Sequence, residues 1–156
     1  LLKRKDVEYS TNNDTAAQMQ VEENGEDFFV TVYAQLLDRD YQLPNGDTSV
    51  CTIEYRFTNN EVGISVVRGD SLDANCIYLL PIIAERTEPY TMITDQELDI
   101  QKPSGILRIE TSSEFKILPT GRHERVFNYV GGFEALPIYS SVPRNEPMHL
   151  RLIFVH

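Results

Sequence analysis

The sequence predicts an all-β protein, an antiparallel β-sandwich of roughly ten short strands, and three observations carry that expectation. Cys51, Ile53, Tyr55 and Phe57 alternate with Thr52, Glu54 and Arg56, the period of a strand with one buried face. Pro, Gly, Asn and Ser interrupt the apolar runs at short intervals, as turns between strands require. No window of about eleven residues or more keeps a helical stripe, which disfavours a layered α/β fold.

A chain of 156 residues with 41% hydrophobic and 24% charged residues has the length and composition of one globular domain with a single core. Residues 1–17 read as a flexible lead-in and 18–156 as one β-sandwich domain. The formal net charge is −10 and the 14 Lys and Arg are scattered, so nucleic acid is rejected as a partner. The same acidity opposes anionic membranes, and no apolar run approaches the ~20 residues that span a bilayer, so no membrane insertion is expected. The start, Leu1-Leu2-Lys3-Arg4-Lys5-Asp6, has no initiator Met, apolar signal region or cleavage pattern, and reads as a mature or excised piece.

Taken in order, the polar stretch through Ser10 to Asp14 has little periodicity, which is why it is read as lead-in. Met19 and Val21 suggest a first strand, Glu22 to Asp27 a turn, and Phe28 to Leu36 a second strand rich in aromatic and β-branched residues. Asp38-Arg39-Asp40 and Leu43-Pro44-Asn45-Gly46-Asp47 carry strong turn chemistry. The strand from Cys51 to Phe57 is followed by Thr58-Asn59-Asn60-Glu61 and then by Val62, Ile64 and Val66, a hairpin pattern. Cys76 to Ala84 is a nearly continuous apolar run containing Pro81, read as a core strand buried on both faces or bent at the proline. Further strands are expected at Glu97 to Ile100, Ile106 to Glu110, Glu114 to Leu118, Glu124 to Val130, Glu134 to Tyr139 and His149 to Val155. Cys51 and Cys76 both fall in strands, where a cross-strand disulfide and two buried thiols fit equally well.

Each group with chemical potential has a plainer explanation beside it. Gly63-Ile64-Ser65-Val66-Val67 begins like a nucleophile elbow, but it lacks the closing glycine and sits in a hairpin, so Ser65 reads as a strand serine. His123, His149 and His156 are isolated and the cysteines form no C-x-x-C pair, which argues against zinc. Asp38/Asp40 and Asp70/Asp73 offer oxygen ligands for calcium, yet without an EF-hand pattern they read as solvated turn carboxylates. Arg68-Gly69-Asp70, followed by Ser71, matches a short adhesion motif and is also ordinary turn chemistry. Alternation across Arg122 to Tyr129 places His123, Arg125, Phe127 and Tyr129 on one strand face, the residue types with which a uronate lyase removes an α-proton and neutralises a carboxylate. A strand that begins charged at a sheet edge and turns aromatic inward looks the same and is the stronger reading. No residue is therefore assigned a catalytic, cofactor-binding or metal-binding role, no cofactor is expected, and the substrate-binding residues are left unassigned.

Two segments, Ile77-Tyr78-Leu79-Leu80-Pro81-Ile82-Ile83 and Arg125-Val126-Phe127-Asn128-Tyr129-Val130-Gly131-Gly132-Phe133-Glu134-Ala135-Leu136-Pro137-Ile138, resemble the C-terminal β-sandwich region of heparinase-type polysaccharide lyases, mainly across residues 76–156. The resemblance implies a sandwich beside a helical toroid, a periplasmic, cell-surface or secreted location, and a polysaccharide substrate for the complete enzyme. The expected function is a noncatalytic accessory domain that supports a catalytic domain of the same or a partner chain, or contacts polysaccharide. An extracellular adhesion or protein-interaction module and a part of a uronate lyase active site are the alternatives.

Overall fold

The structure is a computed structural model that describes residues 1–4, 6–44, 50–69, 75–83, 88–117 and 135–155. Among the described residues, thirteen strands and one short 3-10 turn, η1 (Thr11–Asn13), make up the regular structure. The strands are β1 (Leu2–Arg4), β2 (Val7–Tyr9), β3 (Gln18–Asn24), β4 (Asp27–Gln35), β5 (Val50–Phe57), β6 (Glu61–Val67) and β7 (Asn75–Ile83). They continue with β8 (Tyr90–Met92), β9 (Glu97–Lys102), β10 (Gly105–Thr111), β11 (Phe115–Ile117), β12 (Ala135–Ser141) and β13 (Met148–Val155). Every pairing among them is antiparallel. The fold is the expected antiparallel sandwich, an eight-stranded sheet in the order β3-β4-β5-β6-β13-β10-β9-β8 and a five-stranded sheet in the order β11-β12-β7-β1-β2.

Alternation decides the faces. In β13, Met148 and Leu150 are buried while His149 and Arg151, which alternate with them, are exposed. Because cross-strand partners share a face, the register extends each apolar position into a row across the large sheet. One row runs Met19, Val32, Ile53, Val66, Met148, and the next runs Val21, Val30, Tyr55, Ile64, Leu150. The centres of these rows meet Leu2, Cys76, Ile82, Phe115 and Ile138 of the smaller sheet in one core. Polar side chains also join the layers. Tyr55 and Tyr78 share a 3.3 Å hydroxyl hydrogen bond, and burial pushes the Tyr78 phenol well above its usual range. The Ser140 hydroxyl lies 3.2 Å from that of Thr111 and also bonds to the Ser113 and Glu114 carbonyls.

The largest departure from the sequence reading lies at the start of the chain. Instead of forming a loose lead-in, residues 1–17 supply β1, β2 and η1. Leu2 is fully buried, pairing with Cys76 on one side and Tyr9 on the other, and Ser10 exchanges backbone hydrogen bonds with Leu37. Strands of three residues carry little alternation to read, and β1 and β2 are revealed by their partner strands.

Pro81 does lie inside a strand. It faces Pro137 across β7 and β12, and β1 reaches β7 only at Asn75 and Cys76. Two residues without amide hydrogens thus share one position of the ladder, and none of the β7–β1 pairing depends on Pro81. Cys51 and Cys76 are both buried in the core as thiols, the second of the two alternatives for them.

Candidate interaction surfaces

The outward face of the eight-stranded sheet carries the side chains most able to do chemistry. Glu54 pairs with Ser65 on β6, and Ser65 pairs with His149 on β13, so an acid, a serine and a histidine fall in one row. The order is wrong for nucleophilic catalysis. A triad needs the histidine between acid and serine, whereas here the serine stands in the middle. His149 instead shares two hydrogen bonds with Ser112, its backbone amide donating to the hydroxyl at 2.9 Å and its carbonyl accepting the Ser112 amide at 2.8 Å.

The adjacent positions form a ladder of ion pairs. Arg151 donates to both oxygens of Glu61, at 2.9 and 2.7 Å, and to Glu110 at 2.9 Å. Arg108 grips both oxygens of Asp99 at 2.9 Å and lies 3.1 Å from Glu97. Arg56 bonds Asp27 at 2.8 Å with its guanidinium over the Phe29 ring. Hydrogen bonds from Arg151 hold the Glu61 carboxyl below its ordinary range, and those from Arg108 do the same for Asp99, while both arginines are held more firmly protonated. These cations are occupied by carboxylates of their own sheet.

The remaining candidates resolve individually. Asp38 is a turn cap, its Oδ1 accepting the amides of Asp40 and Gln42 in a tight loop where Tyr41 has φ 62°. Arg68 is only 6% exposed, so it is not the accessible guanidinium that an adhesion motif requires. A Cβ at Gly69 would lie 2.5 Å from the Val50 carbonyl oxygen, which gives that glycine a packing role beside β5. Asp70, Ser71, Asp73, the whole of His123 to Tyr129, the expected strand from Glu124 to Val130, and His156 lie outside the described residues. Among the described residues no group of three or more His, Cys, Asp or Glu is placed to hold a metal ion.

Ser112, Ser113, Pro143, Glu146, Pro147 and His149 line a pocket of about 210 Å³. That is smaller than the roughly 300 Å³ at which sites for small organic ligands begin. A broader feature is apolar. The inward rows of the large sheet run on past the five-stranded sheet, leaving Met19 67%, Val21 58%, Phe28 45% and Phe57 39% exposed on β3, β4 and β5. Alternation in the sequence marks these residues as inward-facing, but the extent of the opposing sheet determines which of them are covered.

A family model described as the ulvan lyase C-terminal domain matches residues 1–155. No curated protein matches the chain. The match takes in the short N-terminal strands as well as the region of the resemblance, and it supports that resemblance at its coarser level, a polysaccharide lyase C-terminal domain. With all but its last residue matched, the chain belongs to the ulvan lyase C-terminal domain family.

Proposed function

We propose that this chain is a noncatalytic accessory domain that supports the catalytic region of a polysaccharide lyase, on the same polypeptide or on a partner chain. The observation that carries this reading is how the polar groups of the large sheet are used. Arg56, Arg108 and Arg151 are engaged by carboxylates beside them, and the row Glu54, Ser65, His149 has an order that does not activate its serine. Such a sheet makes a rigid platform, and a family defined as a lyase C-terminal domain supplies the context for one. A heparinase-type arrangement, with a helical region beside the sandwich, is the finer form of the proposal, and a periplasmic, cell-surface or secreted location goes with it.

Removing the domain from the full-length lyase tests the proposal. The expected result is a lower melting temperature for the lyase region and faster loss of activity on heating. An unchanged melting curve with unchanged turnover overturns it.

Direct contact with polysaccharide is the second reading, favoured by Tyr41 and Tyr90, which are 62% and 49% exposed and offer ring faces to sugars. Affinity electrophoresis of the chain in acidic and neutral polysaccharides tests it, and migration unaffected by every polymer rejects it. Should the His123 to Tyr129 segment belong to an active site, the chain itself would generate unsaturated uronate absorbance from uronate polymers.

A further inference from the structure

The apolar shoulder of β3, β4 and β5 is the feature whose partner the structure specifies furthest. Its residues belong to rows that end in the core. Val21 continues through Val30 and Tyr55 to buried Ile64, Met19 through Val32 to buried Ile53, and Phe28 through Phe57 to half-buried Val62. The shoulder is therefore the inner face of a sandwich sheet, left exposed with no strand of the described residues laid over it. Water meets a surface built like a core.

We propose that Met19, Val21, Phe28 and Phe57 form the surface on which the lyase region of the same polypeptide packs, an inference that rests on the accessory reading and names its contact surface. Area separates this occupant from a second copy of the chain. At about 200 Å² for a fully exposed Phe or Met side chain and somewhat less for Val, the four exposures total roughly 400 Å². Independent proteins that associate stably bury about 800 Å² on each partner, twice that amount. Interfaces between domains of one polypeptide begin near 600 Å² in total, about 300 Å² a side, because the covalent tether supplies an effective concentration of order millimolar.

Charge selects in the same direction. Glu23, in one cross-strand row with Phe28 and Phe57, and Glu26, in the turn that follows β3, are exposed beside the shoulder, on a chain of net charge −10. A two-fold contact between copies would bring these carboxylates toward their own images, whereas a lyase surface with an apolar centre and a Lys or Arg rim complements them. Among the described residues β3 pairs only with β4, and the adjacent Glu22 and Glu23 are the kind of charges that discourage intermolecular pairing along an open edge.

Hydroxyl-radical footprinting of the full-length lyase and of this chain alone, both at low micromolar concentration, tests the assignment. Met19, Phe28 and Phe57 are expected to be oxidised several-fold more slowly in the full-length protein, with Met92 on the distant β8 as the unaffected reference. The double substitution Met19→Lys and Val21→Lys should restore oxidation of Phe28 and Phe57 in the full-length protein while leaving the melting curve of the chain alone unchanged. Equal oxidation in both forms overturns the assignment, and so does a dimer of the chain alone in sedimentation with Met19 protected. If oxidation is equal while removal of the domain still destabilises the lyase region, the accessory role stands and this surface is not its contact.

Discussion

Replacing Leu2 by Ala discriminates most sharply between a loose N-terminus and a structural one. Leu2 is fully buried in β1, between β2 and β7. The substitution removes three carbons, each worth about 0.8 kcal/mol of transfer free energy, or roughly 2.4 kcal/mol. A residual cavity of about 50 Å³ at ~24 cal/mol per Å³ adds about 1.2 kcal/mol, for a total near 3.6 kcal/mol, inside the range measured for buried leucines. That is a large share of a typical domain stability of roughly 5–15 kcal/mol. Urea unfolding followed by circular dichroism should show a lower midpoint with an unchanged slope, and the melting temperature should fall by roughly 7–14 °C. Val7→Ala, at a position 41% exposed on the neighbouring β2, is the control and should cost under about 1 kcal/mol. A cost below about 0.5 kcal/mol for Leu2→Ala would refute the placement of β1 in the core.

Three further outcomes are expected. Gly69→Ala gains about 0.4–1 kcal/mol from a stiffer unfolded chain, but the added Cβ meets the Val50 carbonyl oxygen at 2.5 Å, and overpacking costs roughly 1–3 kcal/mol, so net destabilisation in a thermal melt is expected and a net gain contradicts the close approach. Ser140→Ala strips a partner from the Thr111 hydroxyl and from the Ser113 and Glu114 carbonyls at a site 1% exposed, and should lower stability by about 1–3 kcal/mol in urea titration, whereas a neutral result argues against the inter-sheet link. Glu61 and Asp99 have folded pKa values depressed by their arginines, so their contribution is fully present above the ordinary carboxylate value of about 4 and is lost as pH falls through the depressed values. Glu61→Gln with Asp99→Asn should flatten the fall in melting temperature below about pH 4, and an unaltered slope would show that those ion pairs are not the linked groups.

Sequence legibility tracked strand length. β5, β6, β10 and β13, each of seven or eight residues, show alternation or punctuation that located them nearly to the residue. Pro81 did not mislead, because the neighbouring β-branched and leucine residues outweigh one missing donor where another proline stands opposite. β1, β2 and β8 have three residues each and were not anticipated, because so short a segment carries little period, although β11, equally short, falls within the expected Glu114 to Leu118. The polar groups behaved in the same way. Ser65 was legible as a strand serine, but its alignment with Glu54 and His149 depends on pairings between residues as far apart in the chain as Ser65 and His149.

Composition and alternation by themselves determined an acidic, antiparallel sandwich with particular residues facing inward, because side-chain period and turn chemistry are local properties. Only the tertiary structure decided that the first strands complete the core, that Arg68 is buried, that the arginines of the large sheet are engaged with its own carboxylates, and that Met19, Val21, Phe28 and Phe57 remain uncovered. Each of these depends on which strand lies beside or above another, and register and sheet size are set by contacts between residues far apart in the chain.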